Sequence, residues 1–146
     1  MAKNKKVFPW LLAISWMALI FYLSHQPAAQ SSNLSSGLTE LIMNIINKIA
    51  PDLSLGFESF HHFVRKNAHF FAYLVLGVLV ANATRGYKGK GIMVALLICV
   101  LYAISDELHQ LFIPGRSGQV MDVVIDSAGS VVGVLSYQIT YFFKNT

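Results

Sequence analysis

Four long apolar runs alternate with short polar stretches along this chain, at approximately Val7–Ser24, Phe63–Ala83, Gly91–Leu111 and Val123–Phe143. Each is close to the ~20 residues that a helix needs to cross a hydrocarbon core of ~30 Å. None alternates apolar and polar positions over the ~10 residues of a barrel strand. The pattern predicts an all-α polytopic membrane protein, a single domain over residues 1–146 with four transmembrane helices. A fifth pattern lies between the first two runs, in GLTELIMNIINKIAPDL. Leu38, Leu41, Ile42, Ile45, Ile46 and Ile49 fall at helical spacing on one stripe. At ~12–14 residues this is too short to span. It predicts an amphipathic helix lying in the membrane interface or packed over the bundle mouth, and ended by Pro51. The preceding SHQPAAQSSNLSSG reads as an exposed loop. In FIPGRSGQV, Pro114-Gly115 marks a turn, with Leu111, Phe112 and Ile113 free to dip into the interface.

Composition agrees: 55% of the residues are hydrophobic and 12% charged, with a mean hydropathy of +0.55. The first run follows AKNKK, but it is longer than a secretory core and lacks a clean cleavage site, so it reads as a retained anchor. Cys99, the one cysteine, falls in mid-membrane, which leaves no disulfide framework and suits a packing residue. Charge sets the orientation. Lys3, Lys5, Lys6, Arg85, Lys88, Lys90 and Lys144 lie on one side of the spans with no acid among them. The positive-inside rule makes that side cytoplasmic, with both termini inside. Lys48, Arg65, Lys66, Arg116, all the acids and all the histidines then face outward.

The outward groups are candidate chemistry. In RKNAHFFAYLVLG, Arg65, His69, Tyr73 and Gly77 recur every four residues and share a helix face. His69 and Tyr73 fall one or two turns inside the hydrocarbon, where polar groups turn inward to partners. In SDELHQLFIPGR, Asp106 shares a face with His109 or Gln110, and Glu107 shares one with Gln110. Two acids at a helix C-terminus oppose the macrodipole by about 0.3–1 kcal/mol each, so a cation should compensate. Arg65, Lys66 and Arg116 are the ones in reach. Asp122 suits a helix N-terminus. Asp126, one turn deeper beside Gly129 and Gly133, needs a partner or a proton. The adjacent His61 and His62 point in different directions and are poor joint ligands. These residues predict mutually neutralised charges around an outward pocket for a headgroup-like ligand. No diagnostic metal spacing is present, and no cofactor is called for.

The segments SHQP, RKNAHFFAYLVLG and SDELHQLFIPGRSGQVMDVVIDSAGSVVG occur in an order that resembles the VanZ-like membrane proteins over nearly the whole chain. The specific part is the series Glu107, Gln110, Pro114, Gly115, Arg116, Asp122, Asp126 and Gly129. Helix 2 departs from the family pattern: Ala72 stands where an acid often precedes the tyrosine, which would either give this member a different activity or shift any role of that carboxylate to Asp106. The resemblance implies a bacterial plasma-membrane protein associated with resistance to teicoplanin, a lipid-tailed glycopeptide acting outside the membrane on cell-wall precursors.

Two function classes compete. In the first, the protein binds a membrane lipid, a lipid-linked cell-wall precursor or the lipoglycopeptide's anchor. Arg65, Lys66 and Arg116 would then hold an anion, with Tyr73, Asp106, Gln110 and Asp122 around it. In the second, it is a hydrolase or transferase of an envelope lipid, with Glu107 or Asp126 as general base and His109 or His69 as acid or shuttle. Ion transport is disfavoured by apolar inner helix halves, and nothing in the pattern calls for a nucleic-acid partner.

Overall fold

The computed structural model describes residues 4–50, 56–87 and 89–145, with side chains from residue 7 to residue 144. Lys3, Pro51, Asp52 and Lys88 lie outside the described residues, as do the side chains of Lys5 and Lys6. The rest is all-helical: α1 (Asn4–Ser24), α2 (Ala28–Ile49), α3 (Phe57–Thr84), α4 (Gly91–Gln110) and α5 (Val120–Asn145). Every one except α2 is long and apolar enough to span a bilayer. Most of their large apolar side chains face outward, including Phe8, Leu11, Phe71, Leu97, Leu101 and Phe142. A water-soluble bundle would bury these side chains, whereas a lipid-facing one exposes them.

What the helices turn inward is small or polar. The core contains Ala13, Ala81, Ala95, Cys99 and Ala103 with Tyr73, Leu76, Val80 and Val134. The closest pairing is α5 on α3. A Cβ built on Gly129 would overlap the carbonyl oxygen of Phe70, one on Gly133 that of Leu74, and one on Gly77 that of Ser130. Only glycine admits two helix backbones at this separation. This packing sets Asp126 and Ser130, both fully buried, against His69 and Tyr73 of α3. Aromatic donors tie α1 to its neighbours: the Trp16 indole donates to the Ala72 carbonyl (2.9 Å), and the Tyr102 hydroxyl to the Met17 carbonyl (2.6 Å).

Two expectations are corrected. Ala28–Gly37 is not a loop: α2 has 22 residues and starts directly after Pro27. Its serines do not break the helix because their hydroxyls bond back along it, Ser35 Oγ to the Ser31 carbonyl (2.8 Å) and Thr39 Oγ1 to the Ser35 carbonyl (2.7 Å). That small polar stripe packs on α3, where the His61 ring meets Ser35 Oγ at 2.9 Å. Leu34, Leu38, Leu41, Ile45 and Ile49 are exposed, while Ile42 and Ile46 are half-buried. Ile113 is the second correction. Leu111 and Phe112 are exposed, but Ile113 turns into the protein at 7% exposure.

At 1.5 Å per residue, the 28 residues of α3 extend about 42 Å, longer than the hydrocarbon core. Its first turns, with His61, His62, Arg65 and Lys66, form an overhang at the same end as Ser24, Gln110 and Asp122. The glycine contacts predict that Gly133→Leu destabilises by more than the ~1–3 kcal/mol usual for overpacking and so lowers the thermal midpoint in detergent severely. Gly37→Ala, which meets nothing within 4 Å, leaves the midpoint unchanged or slightly raised. Melting curves followed by size-exclusion chromatography check both.

Candidate functional site

The site is built from the end of α4 outward. Gln110 is 2% exposed and lies one turn after Asp106 and Glu107. Its Nε2 donates to Glu107 Oε1 (3.1 Å) and Asp106 Oδ2 (3.3 Å), and its Oε1 accepts from Arg116 (3.0 Å). Only an amide has donors for the carboxylates at one end and an acceptor for the guanidinium at the other. Ser24 Oγ at the end of α1 also donates to Asp106 Oδ2 (2.9 Å), and the Gln119 backbone N–H to Glu107 Oε2 (2.9 Å). The two acids thus fasten α1 and the α4–α5 loop to the end of α4.

Arg116 is presented by a tight turn. Pro114 and Gly115 occupy its centre, Gly115 at φ +74°, and Arg116 N–H closes it on the Ile113 carbonyl (3.1 Å). The Pro114 carbonyl accepts from Ala28 N–H at the start of α2 (3.2 Å). The Arg116 side chain donates from Nε to the Gln26 carbonyl (3.1 Å) and from Nη2 to that of Leu23 (3.4 Å). Burial lowers its pKa, and Arg65 nearby lowers it further, although a guanidinium keeps its charge at physiological pH.

The cations and carboxylates of the site do not meet as direct ion pairs. Among the described residues no arginine or lysine nitrogen lies within 4.0 Å of a carboxylate, and the acid–base pair at that distance is His69 Nδ1 with Asp126 Oδ1 (3.6 Å). The physical reason is local supply. Asp106 and Glu107 find donors in Ser24, Gln110 and the Gln119 backbone, so Arg116 reaches them only through Gln110. Asp126 is fully buried, and neither of its oxygens accepts a hydrogen bond. Tyr73 Oη, Asp106 Oδ1 and Asp122 Oδ1 are likewise buried without a bonded partner.

Two cavities meet at this end. One, of about 220 Å³, is lined by His62, Arg65, Lys66, His69, Arg116 and Asp122, with part of the α4–α5 loop. The other, of about 230 Å³, lies between α1, α2 and α3 and is largely apolar, with Ile20, Leu23, Leu34, Leu38, Val64 and Ala72 in its wall and Tyr73 at its base. Arg65, His69 and Arg116 line both.

Arg65, Lys66, His69, Tyr73, Arg116 and Asp122 therefore border the cavities, and Asp126 stands behind His69. Asp106, Glu107 and Gln110 form the bracket behind Arg116. His109 is elsewhere: its ring stacks on Phe21 (4.6 Å between centroids) and shares a hydrogen bond with His25 (3.1 Å). Ser24, His25 and Gln119 were not singled out from the sequence. Ser24 and His25 open the SHQP segment, whereas Gln119 acts through its backbone and leaves no side-chain trace. Among the described residues no three histidine, cysteine or acidic side chains converge to hold a metal ion.

Four apolar spanning helices with an amphiphilic cavity pair at one end define a polytopic membrane protein. The VanZ/LLP1 family model matches residues 8–141, and the chain belongs to that family. No curated protein and no solved structure matches it.

The bracket predicts that Gln110→Leu, which strips partners from Arg116, Asp106 and Glu107 together, destabilises by several times the ~1 kcal/mol of a single hydrogen bond. Ser24→Ala removes one bond and costs about 0.5–1.5 kcal/mol. Chemical or thermal unfolding in one detergent, compared across the two variants, checks the ratio.

Proposed function

We propose that this is a cell-envelope protein of a bacterial plasma membrane, with both termini cytoplasmic and the cavity end facing outward. There it holds the anionic headgroup of a lipid, a lipid-linked cell-wall precursor or an acyl-anchored glycopeptide, and so gives tolerance to teicoplanin-type drugs. The observation that carries the binding reading is the state of the cations. Arg65, Lys66 and Arg116 border one cavity with no carboxylate of the described residues at ion-pair distance, and Arg65 and Arg116 repel each other. A phosphate or carboxylate between them would relieve that repulsion through charge-assisted bonds. Family membership supports the link to the drug.

The His69–Asp126 pair favours a second reading, a hydrolase or transferase acting on an envelope lipid. His69 would take a proton from water or an acceptor alcohol as that oxygen attacks the lipid's ester centre. The proton would then pass to the leaving oxygen, with Asp126 balancing the imidazolium and Arg65 the developing oxyanion.

The orientation predicts that Lys66→Cys reacts with an impermeant maleimide in intact cells, and Lys144→Cys only after permeabilisation. The buried Cys99 provides the silent background. The function predicts that expression in a sensitive Gram-positive host raises the inhibitory concentration of teicoplanin several-fold and leaves that of vancomycin unchanged. At matched membrane levels, Arg65→Ala loses the protection and His69→Asn keeps it. Loss in both favours the enzyme, and no protection by the wild type removes the drug from the proposal.

A further inference from the structure

The headgroup reading leaves open why a basic cavity and an apolar one share a wall. Their volumes are nearly equal, and Arg65, His69 and Arg116 belong to both. The apolar cavity is not the interior of the bundle. Its far wall is α2, whose Leu34 and Leu38 line it and are also 64% and 45% exposed. Its near wall includes Ala68 of α3, small and exposed to the surface. The cavity therefore opens sideways, between α2 and α3, toward the surface where the outward leucines and isoleucines of α2 meet lipid. Two of the three serine hydroxyls in its wall are engaged elsewhere, Ser35 with the Ser31 carbonyl and His61 and Ser24 with Asp106, which leaves that of Ser31.

The polar cavity has the opposite character. Arg116 gives N–H groups to Gln26, Gln110 and Leu23 and keeps the remainder of its five, while Arg65 makes no ion pair among the described residues. Two guanidinium groups with donors to spare, beside Lys66, match a phosphate, which has several oxygens to share.

We propose that one molecule occupies both cavities: a phosphate-headed lipid, its phosphate between Arg65 and Arg116 and a single hydrocarbon chain in the apolar cavity between α1, α2 and α3. The lipid enters laterally from the bilayer, with α2 as the movable wall. This rests on the headgroup reading and adds to it the chain, its place and its route.

The test uses the full chain in dodecyl maltoside micelles with phosphatidic acid carrying a photoactivatable diazirine in one acyl chain. Irradiation and peptide mapping should place the label on the Leu34–Leu38 and Ala68–Ala72 segments. Dodecyl phosphate should displace it, whereas inorganic phosphate should do so only at far higher concentration. Arg65→Ala, which removes no ion pair among the described residues, should weaken labelling about tenfold or more, as expected for loss of a bond to a charged group. Ala68→Trp, at an exposed position, should block the chain and abolish the label, while soluble glycerol phosphate still raises the thermal midpoint of that variant.

If glycerol phosphate stabilises the wild type but no label reaches those segments, the one-chain proposal is overturned and the headgroup reading stands. If a diazirine-tagged diacylglycerol labels them equally and Arg65→Ala changes nothing, the site is merely greasy and both readings fall. Both fall as well if there is neither labelling nor stabilisation.

Discussion

The arrangement depends on one buried amide. Gln110 stands where four segments end or turn, and its side chain joins both acids at the end of α4 to Arg116. Inside a membrane-spanning bundle, an unpartnered charge costs several times what a paired one returns, so each acid must find donors close by. Gln110 supplies two of those donors and turns its oxygen to Arg116. Arg116 in turn holds the carbonyls of Leu23 and Gln26, where α1 gives way to α2. Without the amide, the acids and the guanidinium would have to meet directly, which would draw Arg116 away from the cavities.

That indirect link separates charges by role. Asp106 and Glu107 lie behind, bonded to Ser24, Gln110 and a backbone N–H, and serve as fasteners. The cations lie in front and line a basic cavity. Direct ion pairs would have spent the arginines on the protein's own carboxylates, whereas held through an amide they stay available to a ligand. Two acids stand outside this division: Asp122 lines the basic cavity, and Asp126 is fully buried beside His69.

The amphipathic helix completes the site from the side. Its serine and threonine stripe lies on α3, and its apolar stripe is left uncovered, so one element meets both the bundle and its surroundings. The Pro114 carbonyl caps its start, which ties it to the same turn that presents Arg116.

The four spans, the amphipathic stripe, the family and the face shared by Arg65, His69, Tyr73 and Gly77 were all legible from periodicity, length and motif. These are local properties, because a helix repeats its own geometry whatever it packs against. The tight α5–α3 seam was half legible: Gly129 and Gly133 have the four-residue spacing of small residues at which helices approach closely, but that spacing does not say which helix approaches. Three things were decided only by the tertiary structure. The start of α2 depended on serine hydroxyls bonding back along the helix and on a carbonyl from a loop some 90 residues away, seen in the Ala28–Pro114 contact. The place of His109 depended on His25 and Phe21, which lie on another helix and the turn that follows it. The partners of the acids depended on distance in space. The sequence could count the charges, but which of them met was settled by donors nearer than any arginine: a serine on α1, a backbone N–H after the turn, and a glutamine one turn away.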